Sequence, residues 1–166
     1  MTDFVHQRHK PPRQLASQRE LVLVCPPLRS NVNFSRIVRA AGCCGVRKIL
    51  ASGHAKIDRE IARIDAEQIE LEIHRTLPPV LKKLKEAGYV LVGLEQTSNS
   101  ISLYEYRFQR KTALVLGNER IGLTEEVLAA IHDVVEIPVY GLPYAHNVAT
   151  ATAIAMYEFC RQFPDG

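Results

Sequence analysis

Two stretches hold the side chains best suited to chemistry. In Leu116-Gly117-Asn118-Glu119-Arg120-Ile121-Gly122-Leu123, an amide, a carboxylate and a guanidinium follow one another between two glycines. In the run from Ile137-Pro138 to Ala145-His146-Asn147, an imidazole and an amide follow a loop broken by Gly141 and Pro143 and carrying Tyr140 and Tyr144. Each stretch directly follows an apolar segment, so both are strand-end loops, the place where open α/β sheets bind small molecules. The familiar nucleotide fingerprints are missing: no GxGxxG follows the first strand and no GxxxxGK[ST] occurs anywhere, which disfavours a dinucleotide site or a P-loop. No GxSxG or Cys/His nucleophile pattern stands out. By itself the Gly117/Gly122 pair specifies only a turn.

The elements that must position these groups alternate. Leu21 to Cys25 is a continuous apolar run closed by Pro26-Pro27, as expected of a buried parallel strand. Asn31 or Asn33 is placed to cap a helix with apolar positions at Phe34, Ile37, Val38 and Ala41, ended by Gly42 and Gly45. Arg36 and Arg39, three apart, project from neighbouring faces of that helix. Val46 to Ala51 returns as a strand, completing a βαβ unit. The pattern then predicts a short amphipathic helix over Ile57–Ile64, a strand over Ile69–Ile73, a helix over Pro78–Ala87 ended by Gly88, and a strand over Tyr89–Leu94. The polar strand-end loop Glu95-Gln96-Thr97-Ser98-Asn99-Ser100 follows, and then a linking element, Ile101–Phe108, with no assigned type. Thr112–Leu116 is a strand, and a helix starts near Thr124 with Glu125 and Glu126 favourable in its first turn. A short strand ends at Ile137-Pro138, and the last helix starts at His146 or Asn147. This order predicts one α/β layer sandwich over residues 19–166, with about six mostly parallel strands. Residues 1–18, bearing Arg8, Lys10, Arg13 and Pro11-Pro12, read as a flexible basic tail.

Composition narrows the classes further. A chain of 166 residues, 46% hydrophobic and 23% charged, fits one domain with its own core. A net charge of +3 permits an RNA partner without requiring one. No apolar run is long enough to span a bilayer, and no secretory leader is expected. The four cysteines, Cys25, Cys43, Cys44 and Cys160, lack CxxC spacing and read as free thiols in a reducing cytoplasm. His6 and His9 lie in the basic tail with no Cys beside them and only Asp3 as a carboxylate, so no metal site is expected.

Three separated blocks, in order, resemble the motifs of the SpoU-type branch of the SPOUT superfamily, the RNA ribose 2'-O-methyltransferases. They are Asn33-Phe34-Ser35-Arg36-Ile37-Val38-Arg39, with Asn and Arg six apart; Leu116 to Leu123; and Ile137-Pro138 with Asn147-Val148 opening a small-residue helix that ends in Tyr157-Glu158. The similarity covers about residues 20–162. Leu94-Glu95-Gln96-Thr97, with Tyr104 and Phe108 downstream, is especially similar to the catalytic domain of eukaryotic-type tRNA guanosine-2'-O-methyltransferases.

The resemblance implies an α/β fold with a mostly parallel sheet, helices on both faces and a C-terminal trefoil knot. It implies S-adenosylmethionine as methyl donor, held by Leu94, Gly117, Asn118, Gly122, Ile137, Pro138, Ala145, His146 and Asn147. It further implies a homodimer acting on RNA, tRNA before rRNA, with Arg39 as the catalytic arginine and Asn33, Glu119 and Asn147 arranging the site. Arginine stays charged below a pH of about 12, so Arg39 reads better as a phosphate clamp that polarises the 2'-OH than as a base. Glu119 reads as an orienting carboxylate. Ala145, Ala149 and Ala153, at steps of four with Ala151 and Ala155 beside them, would let a partner helix approach. One departure stands out: the family usually reads Ser-Leu-Asn where this chain has Ala145-His146-Asn147, and Ala149 replaces another serine. The missing hydroxyl at 145 removes a contact to cofactor or ribose, for which His146 either compensates or serves as a helix cap. It also motivates a second reading, a weakly active or inactive member kept as an RNA-binding module.

Overall fold

The computed structural model describes residues 3–64 and 67–166; Met1 and Thr2, the start of the expected tail, lie outside them. The elements are β1 (Val22–Cys25), α1 (Asn31–Cys43), β2 (Lys48–Ser52), α2 (Arg59–Ala62), β3 (Glu70–His74), α3 (Pro78–Glu86), β4 (Val90–Leu94), β5 (Ile101–Ser102), β6 (Thr112–Leu116), α4 (Glu125–Ala130), β7 (Asp133–Glu136) and α5 (Val148–Gln162). The strands form one sheet in the order β3-β2-β1-β6-β4-β7-β5, and every pairing is parallel. The sheet therefore has seven strands rather than six. The extra one, β5, lies in the segment the sequence pattern left unassigned; two residues are too few to show a periodicity.

Burial on both faces explains the unbroken apolar runs of the central strands. In β1, Leu23 and Cys25 face a core with Phe34, Ile37, Val38 and Ala41 of α1 and Ala155, Met156 and Phe159 of α5. Val22 and Val24 face the opposite core, with Val80, Leu81 and Leu84 of α3 and Val127 of α4. β6 divides in the same way, Leu114 and Leu116 to the first core and Ala113 and Val115 to the second. Helices thus cover both faces, as expected.

Local chemistry moved several boundaries. The cap of α1 is Ser30, whose side chain accepts from the Asn33 amide, so neither asparagine is spent on capping. Gly42 lies inside α1; the helix stops at Cys44, and Gly45 takes a left-handed φ of 71°. The expected Ile57–Ile64 helix shrinks to one turn, capped by Asp58 and ended by Arg63 at φ 49°. The expected alanine stripe is broken: Ala149 and Ala155 are buried in their own chain's core, whereas Ala145 lies exposed in the loop before α5, outside the helix. At the end of the basic segment, the Ala16 and Ser17 amides donate to the Asp165 carbonyl, and just beyond it Arg19 Nη1 donates to the Phe163 carbonyl at 2.7 Å.

Candidate active site

The carboxyl ends of β4, β6 and β7 lie side by side because β6 inserts between β1 and β4, and β7 pairs with the other edge of β4. The loops that leave these ends wall a cavity of about 430 Å³. Its apolar surface comes from Leu94, Leu116, Ile137, Val139 and Ala151, and its charged groups are Glu95, Glu119, Glu136 and Arg120. Of the residues expected to bind a cofactor, Leu94, Gly117, Asn118, Gly122, Ile137, Ala145, His146 and Asn147 line this cavity. Pro138 does not: its neighbours Ile137 and Val139 provide the wall there.

At the mouth, three residues from the three sequence blocks meet. Asn33 Nδ2 donates to Glu119 Oε1 at 3.2 Å, and Asn147 Nδ2 donates to Asn33 Oδ1 at 3.1 Å. Each is held from behind. Asn33 stands in the first turn of α1, its side chain left free by the Ser30 cap. Asn147 is the cap of α5, its Oδ1 accepting from the Ala149 amide at 2.9 Å, so His146 is not the cap. Glu119 Oε2 accepts the Arg29 amide at 3.0 Å. Burial pushes the Glu119 carboxyl up, but the amide of Arg29, its own amide, the Asn33 side chain and the Ser30 amide more than offset this. The carboxyl ends below its ordinary value and stays ionised. An acceptor held ionised by amide donors suits an orienting role better than that of a proton acceptor.

The turn that carries Glu119 is rigid. The Asn118 and Gly122 main chains exchange hydrogen bonds at 3.0 and 2.9 Å, and Asn118 Oδ1 accepts the amides of Arg120 and Ile121. Asn118 Nδ2 donates to the Pro27 carbonyl, which fastens the turn to the end of β1.

Arg39 is not part of this group. Six residues after Asn33 is about 9 Å along the helix axis and on a different face; Arg39 is exposed and outside the cavity wall. The wall residues Glu136 and Val139 had no place in the sequence reading, and Glu95 and Gln96 had no assigned role there. The signals for Glu95 and Gln96 were their position in a polar loop directly after a buried strand and the resemblance carried by Leu94-Glu95-Gln96-Thr97. Among the described residues, no group of three or more His, Cys, Asp or Glu is arranged to hold a metal ion, and no helix is long and apolar enough to cross a membrane.

Comparison with known proteins settles the kinship. The model of the SpoU rRNA Methylase family matches residues 20–157. The chain belongs to this family. A relative from Aquifex aeolicus, named tRNA (guanosine(18)-2'-O)-methyltransferase, is 30% identical over 149 residues, which are 87% of this chain and 71% of the relative. The protein of the same name from Escherichia coli strain K12 is 28% identical over 148 residues, and the chain spans only 65% of its length. The crystal structure of the A. aeolicus TrmH/SpoU tRNA modifying enzyme superposes with a TM-score of 0.84 at 27% identity, covering 90% of this chain and 78% of that one. The parallel sheet with its paired helical layers is thus the SpoU fold.

Proposed function

We propose that this SpoU-family chain transfers a methyl group from S-adenosylmethionine to a ribose 2'-OH of RNA, with tRNA as the substrate class its named relatives favour. The observation that carries this reading is the Asn33–Glu119–Asn147 chain of hydrogen bonds at the mouth of a cavity built from three strand-end loops.

The cavity suits the donor on its own terms. Three carboxylates against one guanidinium favour a cationic ligand. Ile137 is buried, yet among the described residues it makes no main-chain hydrogen bond, which leaves its amide and carbonyl free for a heterocycle. Leu94, Gly117, Ile137 and Val139 would hold the adenosine part, and Ala145 to Asn147 would close over it. When bound, S-adenosylmethionine supplies a methyl group on a sulfonium, a good leaving group. The protein's own task is alignment and charge: Asn33, fixed between Glu119 and Asn147, presents polar edges toward an incoming ribose. Arg39, on the exposed side of α1, clamps an RNA phosphate and polarises the hydroxyl, whose proton passes to that phosphate.

Because Arg39 and the cavity mouth lie on different faces of α1, a second copy of the chain would have to bring its own Arg39 to the mouth to reach the hydroxyl, which makes a homodimer part of the proposal. Exposed apolar residues support such a contact: Tyr157 on α5, Val32 on α1, and Tyr140, Leu142 and Tyr144 beside the cavity. The family's trefoil threading of the C-terminal part belongs to the same proposal, as does a cytoplasmic setting, which suits the four free cysteines.

Incubation with methyl-labelled S-adenosylmethionine and bulk tRNA is expected to label the RNA, and Arg39→Ala is expected to slow the labelling by about 10²–10³-fold. Donor and RNA binding without transfer would instead favour the RNA-binding module suggested by Ala145.

A further inference from the structure

Glu95 and Gln96, the two residues after β4, tie together every loop that walls the cavity. The Glu95 amide donates to the Val135 carbonyl of β7 at 3.0 Å. Its carboxylate accepts the Leu123 amide through Oε2 at 3.1 Å and the Gln96 amide through Oε1 at 3.0 Å. Gln96 Nε2 donates to the Tyr144 carbonyl at 3.2 Å, which reaches the loop before α5.

The surrounding glycines show how closely this carboxylate is seated. A Cβ on Gly117 would lie 2.8 Å from Glu95 Oε2 and 3.1 Å from the Gly122 main chain. A Cβ on Gly122 would run into the same oxygen, at a position whose φ of 66° already favours glycine. Gly117 has no left-handed φ to explain it, so its need for a bare Cα is spatial. The two glycines that bracket the second sequence block thus leave room for a side chain of the protein itself.

We propose that Glu95 is the positioning residue of the donor cavity: its carboxylate, seated between Gly117 and Gly122, holds the 117–123 turn against the end of β4, and Gln96 fastens the 139–147 loop to the same point. This deepens, and rests on, the function proposed above. The consequence for the site is indirect but specific. Glu119 reaches Asn33 only while its turn is held in place, and that turn is anchored at one end to Pro27 by Asn118 and at the other to Glu95 by Leu123. Removing the second anchor frees the turn to swing about the first.

The test combines amide hydrogen exchange of the cofactor-free protein with titration calorimetry against S-adenosylmethionine and S-adenosylhomocysteine. In Glu95→Ala, exchange across residues 117–123 is expected to quicken about tenfold or more while the β1 amides keep their rate, and donor Kd is expected to rise about tenfold. Gln96→Ala is expected to quicken only residues 139–147. Glu95→Gln keeps the shape and one acceptor, and covers the case in which the alanine variant does not fold; it is expected to fall between wild type and Glu95→Ala. Wild-type exchange across 117–123 in both Glu95 variants would overturn the inference, as would faster exchange with unchanged Kd. A wild-type protein that binds neither compound would overturn the proposed function instead, while the exchange arm still decides whether Glu95 holds the turn.

Discussion

The two halves of the sheet are built on different principles. In the β1-β2-β3 half, each strand is laid outside the one before it, and its outer edge carries surface charge: Lys48 lies 3.1 Å from Glu70 and 2.5 Å from Glu72, and His74 lies 3.1 Å from Glu72. In the β6-β4-β7-β5 half, chain order and spatial order separate. β6 slips between β1 and β4, and β7 takes the far edge of β4. The first half needs only local crossovers between successive parallel strands. The second brings the separate segments around residues 94–96, 116–122, 136–139 and 145–148 into one wall, and side chains must tie them together. Glu95, Asn33, Glu119 and Asn147 do this through bonds between residues 28 to 114 positions apart, whereas the side-chain ties between β2 and β3 are the surface pairs of Lys48 with Glu70 and Glu72 named above. The candidate site sits where the chain returns on itself.

The strongest break in this comparison is chemical. Arg39→Ala is expected to lower methyl transfer by about 10²–10³-fold, with Arg39→Lys also impaired because a bidentate clamp is lost. As Arg39 is exposed, the thermal midpoint should hardly move, and kinetics beside a melting curve check both halves of the statement.

Packing gives the next contrast. Leu114 in β6 is buried, so Leu114→Ala is expected to cost about 2–5 kcal/mol. Ile73 in β3 is 53% exposed, and Ile73→Thr should stay within about 0.5 kcal/mol. Urea unfolding of both variants measures the asymmetry between the halves.

Asn147 sharpens it at the site. It caps α5 and also holds Asn33, so Asn147→Ala is expected to cost about 1 kcal/mol of stability, whereas Asn33→Ala, which removes no cap, should cost less. Both should weaken donor or RNA binding, and a double-mutant cycle reads their coupling.

Acid offers a milder probe. Glu119 has a lowered folded value, so its contribution to stability is present in full above the ordinary carboxylate value of about 4.3 and is lost as pH falls from there through the folded value. The stability difference between wild type and Glu119→Gln should therefore shrink on acidification below that point. The smallest effect belongs to the other half: Lys48→Ala removes exposed ion pairs, and its cost should remain below about 1 kcal/mol and fade with salt.

Much of this was legible from residue order. The two-sided burial of Val22–Cys25 and Thr112–Leu116 follows from unbroken apolar runs, and the helical spacing of Phe34, Ile37, Val38 and Ala41 marks the core face of α1. Short elements were not legible: β5 has two residues, and the turn of α2 has four, too few for either period to assert itself. The cap of α1, expected at Asn31 or Asn33, lies one or three positions earlier at Ser30, because Ser30, Asn31 and Asn33 all have capping side chains and only the fold shows that Asn33 is engaged elsewhere.

What the amino-acid sequence determined alone is which segments are buried strands and helices, and that three polar blocks follow strand or helix boundaries, because periodicity and capping act within a few residues. What only the tertiary structure decided is that Asn33, Glu119 and Asn147 touch, that Arg39 stands apart from them, and that Glu95 fills the space two glycines vacate. Those contacts join residues from 22 to 114 positions apart, as bridging Glu95 to Gly117 and Asn33 to Asn147 requires, and the order in which β6, β4 and β7 enter the sheet brings them together.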